Sequence, residues 1–165
     1  MPAPPVQIEY FSDVHCPYAY LTSYRLRQIM PEYQGRIELV FRALSLEYVN
    51  RQSTPKSILD NETPLLLLAE PEIPYAPWHA PLTEWPVTMW PAFEAIGCAA
   101  RQSAVAAADL DWAIREAFFA ESRCISMRHV LFDLAGQTGL EMDRFAADFD
   151  GGVAKQAVAD DARRG

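Results

Sequence analysis

YFSDVHCPYAYL, Tyr10 to Leu21, sets a cysteine where one hydrophobic period gives way to another. Just upstream, VQIEYF (Val6 to Phe11) alternates Val6, Ile8 and Tyr10 with Gln7 and Glu9, which predicts a half-buried strand. After a short loop, Ser12 to His15, the stretch from Cys16 to Met30 is compatible with a helix that Pro31 and Gly35 end. RIELVFR (Arg36 to Arg42) then reads as a second strand. Strand, helix and strand with short links predict a right-handed parallel βαβ unit.

Outward from that unit the chain changes character. All thirteen prolines lie at or before Pro91, and proline breaks helix interiors, so a mixed front half is expected to precede a helical back half. The division is residues 1–42 for the βαβ half, 43–90 for a proline-rich connection and 91–165 for a helical insertion. Within the connection, Leu65 to Ala69 suits a helical turn or two. EIPYAPWHAPLTEWP (Glu72 to Pro86) has four prolines and two tryptophans and reads as an ordered surface loop with a functional role. From Met89 onward Phe93, Ile96, Gly97 and Ala100 recur at helix spacing, as do Leu110, Ile114, Ala117 and Phe118. Ser126 is the expected N-cap of a helix carrying Val130, Leu131, Leu134 and Ala135. Met142, Phe145, Ala146 and Phe149 form a further stripe, and VAKQAVADDARR (Val153 to Arg164) a last helix.

Only two strands are legible, too few for a parallel sheet covered on both faces. Two readings follow: a fragment of a longer fold, which is preferred, or a sheet completed from outside this chain. Open sheet edges would favour homodimerisation.

The 165 residues suffice for one domain with a core, and half of them are apolar. A net charge of −8 argues against nucleic acid as a partner, since phosphates would be repelled, and reads as a solubility feature. No signal peptide and no membrane span is visible, so the expected compartment is the cytoplasm. Three widely spaced cysteines, Cys16, Cys98 and Cys124, are neither a disulfide framework nor a metal-ligand pattern. No metal and no required cofactor is expected.

The chemistry is expected at Cys16. With Cys16 as N-cap, Pro17 occupies the first helical position, where its missing N–H costs nothing. The sulfur then meets free backbone N–H groups and the positive end of the helix dipole, and both favour thiolate over thiol. His15, if protonated, would help; an inward-pointing Asp13 carboxylate would oppose. Cys98 and Cys124 fall in or beside helical segments and read as buried structural thiols. His79 reads as a surface histidine, with the lining of a pocket above Cys16 as the alternative, and His129 as solvent-facing. Trp85 and Trp90 suit either an aromatic wall or the core.

Phe11, Asp13, Cys16, Pro17, Tyr18 and Tyr20 resemble the motif F-x-D-x-x-C/S-P-Y/W-x-Y of the DsbA family of thioredoxin-fold proteins. The nearest branch holds FrnE-type oxidoreductases, 2-hydroxychromene-2-carboxylate isomerases and kappa-class glutathione transferases. AIREAFFAESRCISMRHVLFDLAGQTGL (Ala113 to Leu140) resembles the helical insertion of that branch, so the likeness spans nearly the whole chain. The resemblance implies an α/β fold: a thioredoxin-like βαβ unit with an inserted all-helical subdomain. The family's cis-proline strand, the strand after it and the final helix have no counterpart here.

Two departures bear on function. Position 19, which holds the resolving cysteine of dithiol members, is Ala19. The Asn-Thr or Asn-Ser pair near glutathione in the isomerase branch stands here as Val87-Thr88. The expected activity is therefore that of a DsbA-like thiol oxidoreductase relative. Cys16 is the nucleophile forming mixed disulfides with glutathione or a protein thiol, and His15, Pro17, Tyr18, Thr88 and Trp90 line the substrate side. A glutathione-dependent isomerase or transferase is one alternative, and a non-catalytic binding module the other.

Overall fold

The structure is a computed structural model that describes residues 4–165; Met1 to Ala3, at the start of the first expected segment, lie outside the described residues. Strand β1 (Val6–Ser12), helix α1 (Pro17–Ile29) and strand β2 (Ile37–Ala43) follow the order read from sequence. The strands pair in parallel from Val6↔Ile37 to Ser12↔Ala43, as a two-stranded sheet. Each strand runs one residue beyond its expected end, because Leu44 N–H still donates to Ser12 O at 3.2 Å.

Helices α2 (Leu46–Asn50), α3 (Lys56–Glu62) and α4 (Leu66–Ala69) come next, followed by α5 (Trp90–Ala100), α6 (Ala104–Phe119), α7 (Arg128–Ala135), α8 (Met142–Asp150) and α9 (Lys155–Arg164). The connecting region is more helical than its prolines suggest. Ser45 caps α2 by accepting from Tyr48 N–H, and the prolines fall at helix starts, at Pro55 and Pro64, where they are tolerated. Ser126 does not cap α7: the N-cap is Met127, and the Ser126 hydroxyl donates instead to Thr88 O at 2.6 Å.

Both faces of the small sheet carry a helix. Tyr10 points toward α1 and donates to Ala19 O at 3.2 Å. On the opposite face Glu9 accepts from Arg42 and from Arg164 of α9, whose guanidinium also lies over the Phe11 ring. Asp161 of α9 accepts from Ala43 N–H at 3.3 Å.

The main core lies between helices α5, α6, α7 and α8. Leu110, Ile114, Phe118, Val130, Leu131, Leu134 and Phe145 are buried with Phe93 and Ile96 of α5. Helix α5 meets the start of α9 closely at Gly97. A Cβ at Gly97 would stand 2.9 Å from Ala154 Cβ, so glycine permits that helix crossing. Tyr20 of α1 joins the two parts: its ring stacks between Trp112 and Phe119 of α6, and its hydroxyl donates to Pro74 O at 2.6 Å. No helix among the described residues is long and apolar enough to cross a membrane.

Candidate functional site

Cys16 is the N-cap of α1, with extended backbone (φ −87°, ψ 123°) and Pro17 at the first helical position. Its carbonyl accepts from Tyr20 N–H at 2.9 Å, closing the first helical turn. The sulfur makes no cap hydrogen bond, so the first-turn amides ahead of Tyr20 are left without a helical acceptor. Cys16 is partly exposed, whereas Cys98 and Cys124 are buried, and all three are thiols. Burial pushes the Cys98 thiol up to about 11.

The loop that presents Cys16 is held from three sides. Within it, the Asp13 carboxylate accepts from His15 N–H at 2.7 Å, and Asp13 O accepts from Cys16 N–H at 3.3 Å. From α2, Leu46 N–H donates to the other Asp13 carboxylate oxygen at 2.8 Å. From α6, Arg115 Nη1 donates to Asp13 O at 2.9 Å and Nη2 donates to Ser12 Oγ at 2.7 Å. The same guanidinium is bidentate to Asp111, one helical turn earlier, at 2.9 and 3.0 Å. Arg115 is fully buried. Asp13 does point inward, as the sequence left open; burial raises its carboxyl above the usual range, against its two backbone donors and the Arg115 charge.

His15 corrects an expectation. It is buried, stacked edge-on against Phe118 at 4.4 Å between ring centroids and packed on Trp85 at 5.5 Å. Burial lowers its pKa to about 3, so it is neutral at ordinary pH and supplies no charge to a Cys16 thiolate. Its ring belongs to an aromatic cluster with Trp78, Trp85 and Phe118, which the proline-rich loop closes from outside.

The remaining expected residues do not form one wall. Pro17 is buried, while Tyr18 is 53% exposed at the start of α1. Thr88 and Trp90 stand at the start of α5, where Thr88 Oγ1 donates to Glu47 at 2.7 Å and Met89 N–H donates to the other Glu47 oxygen at 2.8 Å. Trp90 packs edge-on against Tyr48, not against Trp85. Val87, in the place of the expected asparagine, is 71% exposed. Leu46 and Glu47 are sequence neighbours, so α2 braces both the Cys16 loop and the start of α5. His79 is exposed and paired with Ser122 Oγ at 2.9 Å; His129 is exposed on α7.

Arg115, Asp111 and Glu47 were not singled out from sequence. One signal was available for the first two: opposite charges at i and i+4 fall on the same side of α6 as Leu110, Ile114 and Phe118, a face that must be buried. A cavity of about 710 Å³ opens between α1, β2 and α6 beside Leu26, Leu39 and Trp112, and Cys16 is not among its lining residues. The partly exposed thiol stands just beyond the C-terminal ends of the parallel strands.

The family model described as "DSBA-like thioredoxin domain" matches residues 7–165. No curated protein matches the chain. Among solved structures, the cytosolic disulfide reductase DsbM from Pseudomonas aeruginosa superposes with a TM-score of 0.78 at 19% identity, over 96% of this chain and 77% of that one. DsbM with GSH gives 0.70 at 17% identity, over 96% and 78%. The probable DsbA oxidoreductase SCO1869 from Streptomyces coelicolor gives 0.68 at 17%, over 96% and 74%. At these identities the likeness is one of fold.

Proposed function

The chain belongs to the DSBA-like thioredoxin domain family, and on that premise we propose that it exchanges disulfides through Cys16 alone. The observation that carries this reading is the contrast among three thiols: one partly exposed at a helix N-terminus, two buried. In the proposed step the Cys16 thiolate attacks one sulfur of a disulfide. A bond forms between Cys16 and that sulfur, the original S–S bond breaks, and the leaving thiolate takes up the proton that Cys16 gave to solvent. With Ala19 where a second cysteine would stand, an external thiol resolves the mixed disulfide by the same exchange. Glutathione or a protein thiol serves as that partner.

The partly exposed position of Cys16 at a helix start suits attack on a flexible disulfide or a protein loop. Pro17 fixes the backbone at the thiol, and exposed Tyr18 is placed to contact the partner. Thr88 already gives its hydroxyl proton to Glu47, and Val87 offers no polar group, which weighs against the isomerase or transferase alternative. A reducing compartment such as the cytoplasm suits a chain whose cysteines are all thiols.

The test is incubation with oxidised glutathione followed by peptide mapping. The expected result is one glutathione adduct, on Cys16, removed by reduced glutathione and absent in Cys16→Ser. Failure to form the adduct, under conditions where iodoacetamide labels Cys16, would overturn the reading.

A further inference from the structure

Among the described residues, one buried ionic cluster reaches the Cys16 loop from another part of the fold. Arg115 is fully buried in α6, over a hundred residues downstream, yet two of its N–H groups end on Ser12 Oγ and Asp13 O. Asp13 O is the acceptor for Cys16 N–H, so the guanidinium and the cysteine amide share one oxygen. The two remaining bonds go to Asp111 on the far side. The ion pair is thus a fixed dipole with its positive end on the loop and its negative end one helical turn away. In a low-dielectric interior such a dipole is screened little by salt or water.

We propose that Arg115 is the positioning residue for Cys16: it fixes the N-cap geometry of the loop and turns a buried positive charge toward it. It takes the part that sequence reading assigned to a protonated His15, which burial keeps neutral. The fork geometry is essential. Lysine has no planar fork and cannot hold Asp111, Ser12 and Asp13 at once in this arrangement. The charged and titratable groups around the loop include Asp13 and His15 within it, Glu47 on α2, Asp111 and Arg115 on α6, Tyr10 of β1 and Tyr20 of α1, with Lys56 of α3 one ring further out, over Trp85. Of these Arg115 is the positive group hydrogen-bonded to the loop itself. The proposal rests on Cys16 being the reactive thiol of the proposed function, and it is tested by alkylation, which needs no disulfide partner.

The experiment uses the full chain in three forms: wild type, Arg115→Lys, and the double variant Asp111→Asn with Arg115→Gln. The double variant removes both buried charges together and keeps hydrogen-bonding groups in place, which avoids leaving one charge unpaired. Iodoacetamide labelling of Cys16 is followed by peptide mapping from pH 5 to 10, beside thermal unfolding and hydrogen exchange of the Cys16 amide. The expected result is a labelling rate at pH 7 at least threefold lower in the double variant. Its pH profile should be displaced upward and its Cys16 amide exchange faster, with Arg115→Lys between the two.

A lower unfolding temperature with a pH profile that overlays wild type would assign Arg115 to stability alone and overturn the proposal. If the double variant does not fold, Arg115→Lys decides by the same criterion. If Cys16 alkylates as expected in wild type yet forms no mixed disulfide with oxidised glutathione, the proposed function fails while the role of Arg115 is still read from the profiles.

Discussion

Cys16, at the strand-to-helix junction, and Cys98, inside α5, hold the same side chain in opposite settings. Cys16 caps a helix, keeps part of its surface in solvent and has free amides beside it. Cys98 lies mid-helix with no exposed surface, near Asp148 and Glu94, and burial pushes its thiol up to about 11. The difference teaches that position along a helix and access to water, not the presence of a cysteine, decide where thiol chemistry occurs. It also separates two regions: the junction of β1 and α1 presents the thiol, and α2 and α6 supply the hydrogen bonds that fix its loop.

The sharpest way to break this contrast is Cys16→Ser. At pH 8 a thiol held at about 11 is ionised to roughly one part in a thousand, so native Cys98 should be almost silent. Labelling of Cys98 in the folded variant is expected to run at least about 100-fold slower than labelling of Cys16 in wild type, measured by peptide mapping against time. Residual labelling within tenfold of wild type, mapped to Cys98, would show that burial does not silence it.

Next in size is the tie between the two parts. Arg115→Met leaves Asp111 buried without its partner, and such losses cost about 3–5 kcal/mol. Urea unfolding should show that drop; a change under 1 kcal/mol would mean that water reaches the cluster.

His15 gives a smaller, pH-dependent effect. Its pKa falls from 6.5 to about 3 on folding, so the unfolded chain binds the proton more tightly. The neutral histidine's contribution is complete above pH 6.5 and is lost as the pH falls toward 3, amounting to about 2 kcal/mol by pH 5. His15→Phe, which keeps an aromatic ring against Trp85 and Phe118, should gain that much relative to wild type between pH 7 and pH 5. A pH-independent difference would place the His15 ring in water. Smallest is Gly97→Ala on α5, where the added methyl meets Ala154 at 2.9 Å: overpacking of about 1–3 kcal/mol, less about 1 kcal/mol regained in helix propensity, leaves a net loss of about 1 kcal/mol in the same urea curves. No loss there would mean that α9 shifts freely on α5.

Much of the site was legible because its cues are local. Cys16 followed by Pro17, the alternation of Val6, Ile8 and Tyr10, and the stripes Leu110–Ile114–Phe118 and Met142–Phe145–Phe149 each lie within a few turns of chain. The structure places their elements as read. Ser126 misled for the opposite reason: as a serine ahead of an apolar stripe it looked like a cap, but its hydroxyl is taken by Thr88 O, thirty-eight residues away. The connecting region hid two short helices, α2 and α3, and gave up only α4, because proline content marks helix starts as readily as it marks loops.

By itself the sequence determined which residue is the candidate nucleophile and the backbone geometry around it, since proline at the first helical position and the spacing of apolar residues act through bonds and nearest neighbours. Only the tertiary structure decided the electrostatics of that residue. It buried His15 in an aromatic cluster, turned Asp13 inward, and brought Arg115 to Asp13 O across 102 residues. The physical reason is that desolvation and charge pairing depend on what surrounds a group in space, and for this loop the surroundings come from α2 and α6.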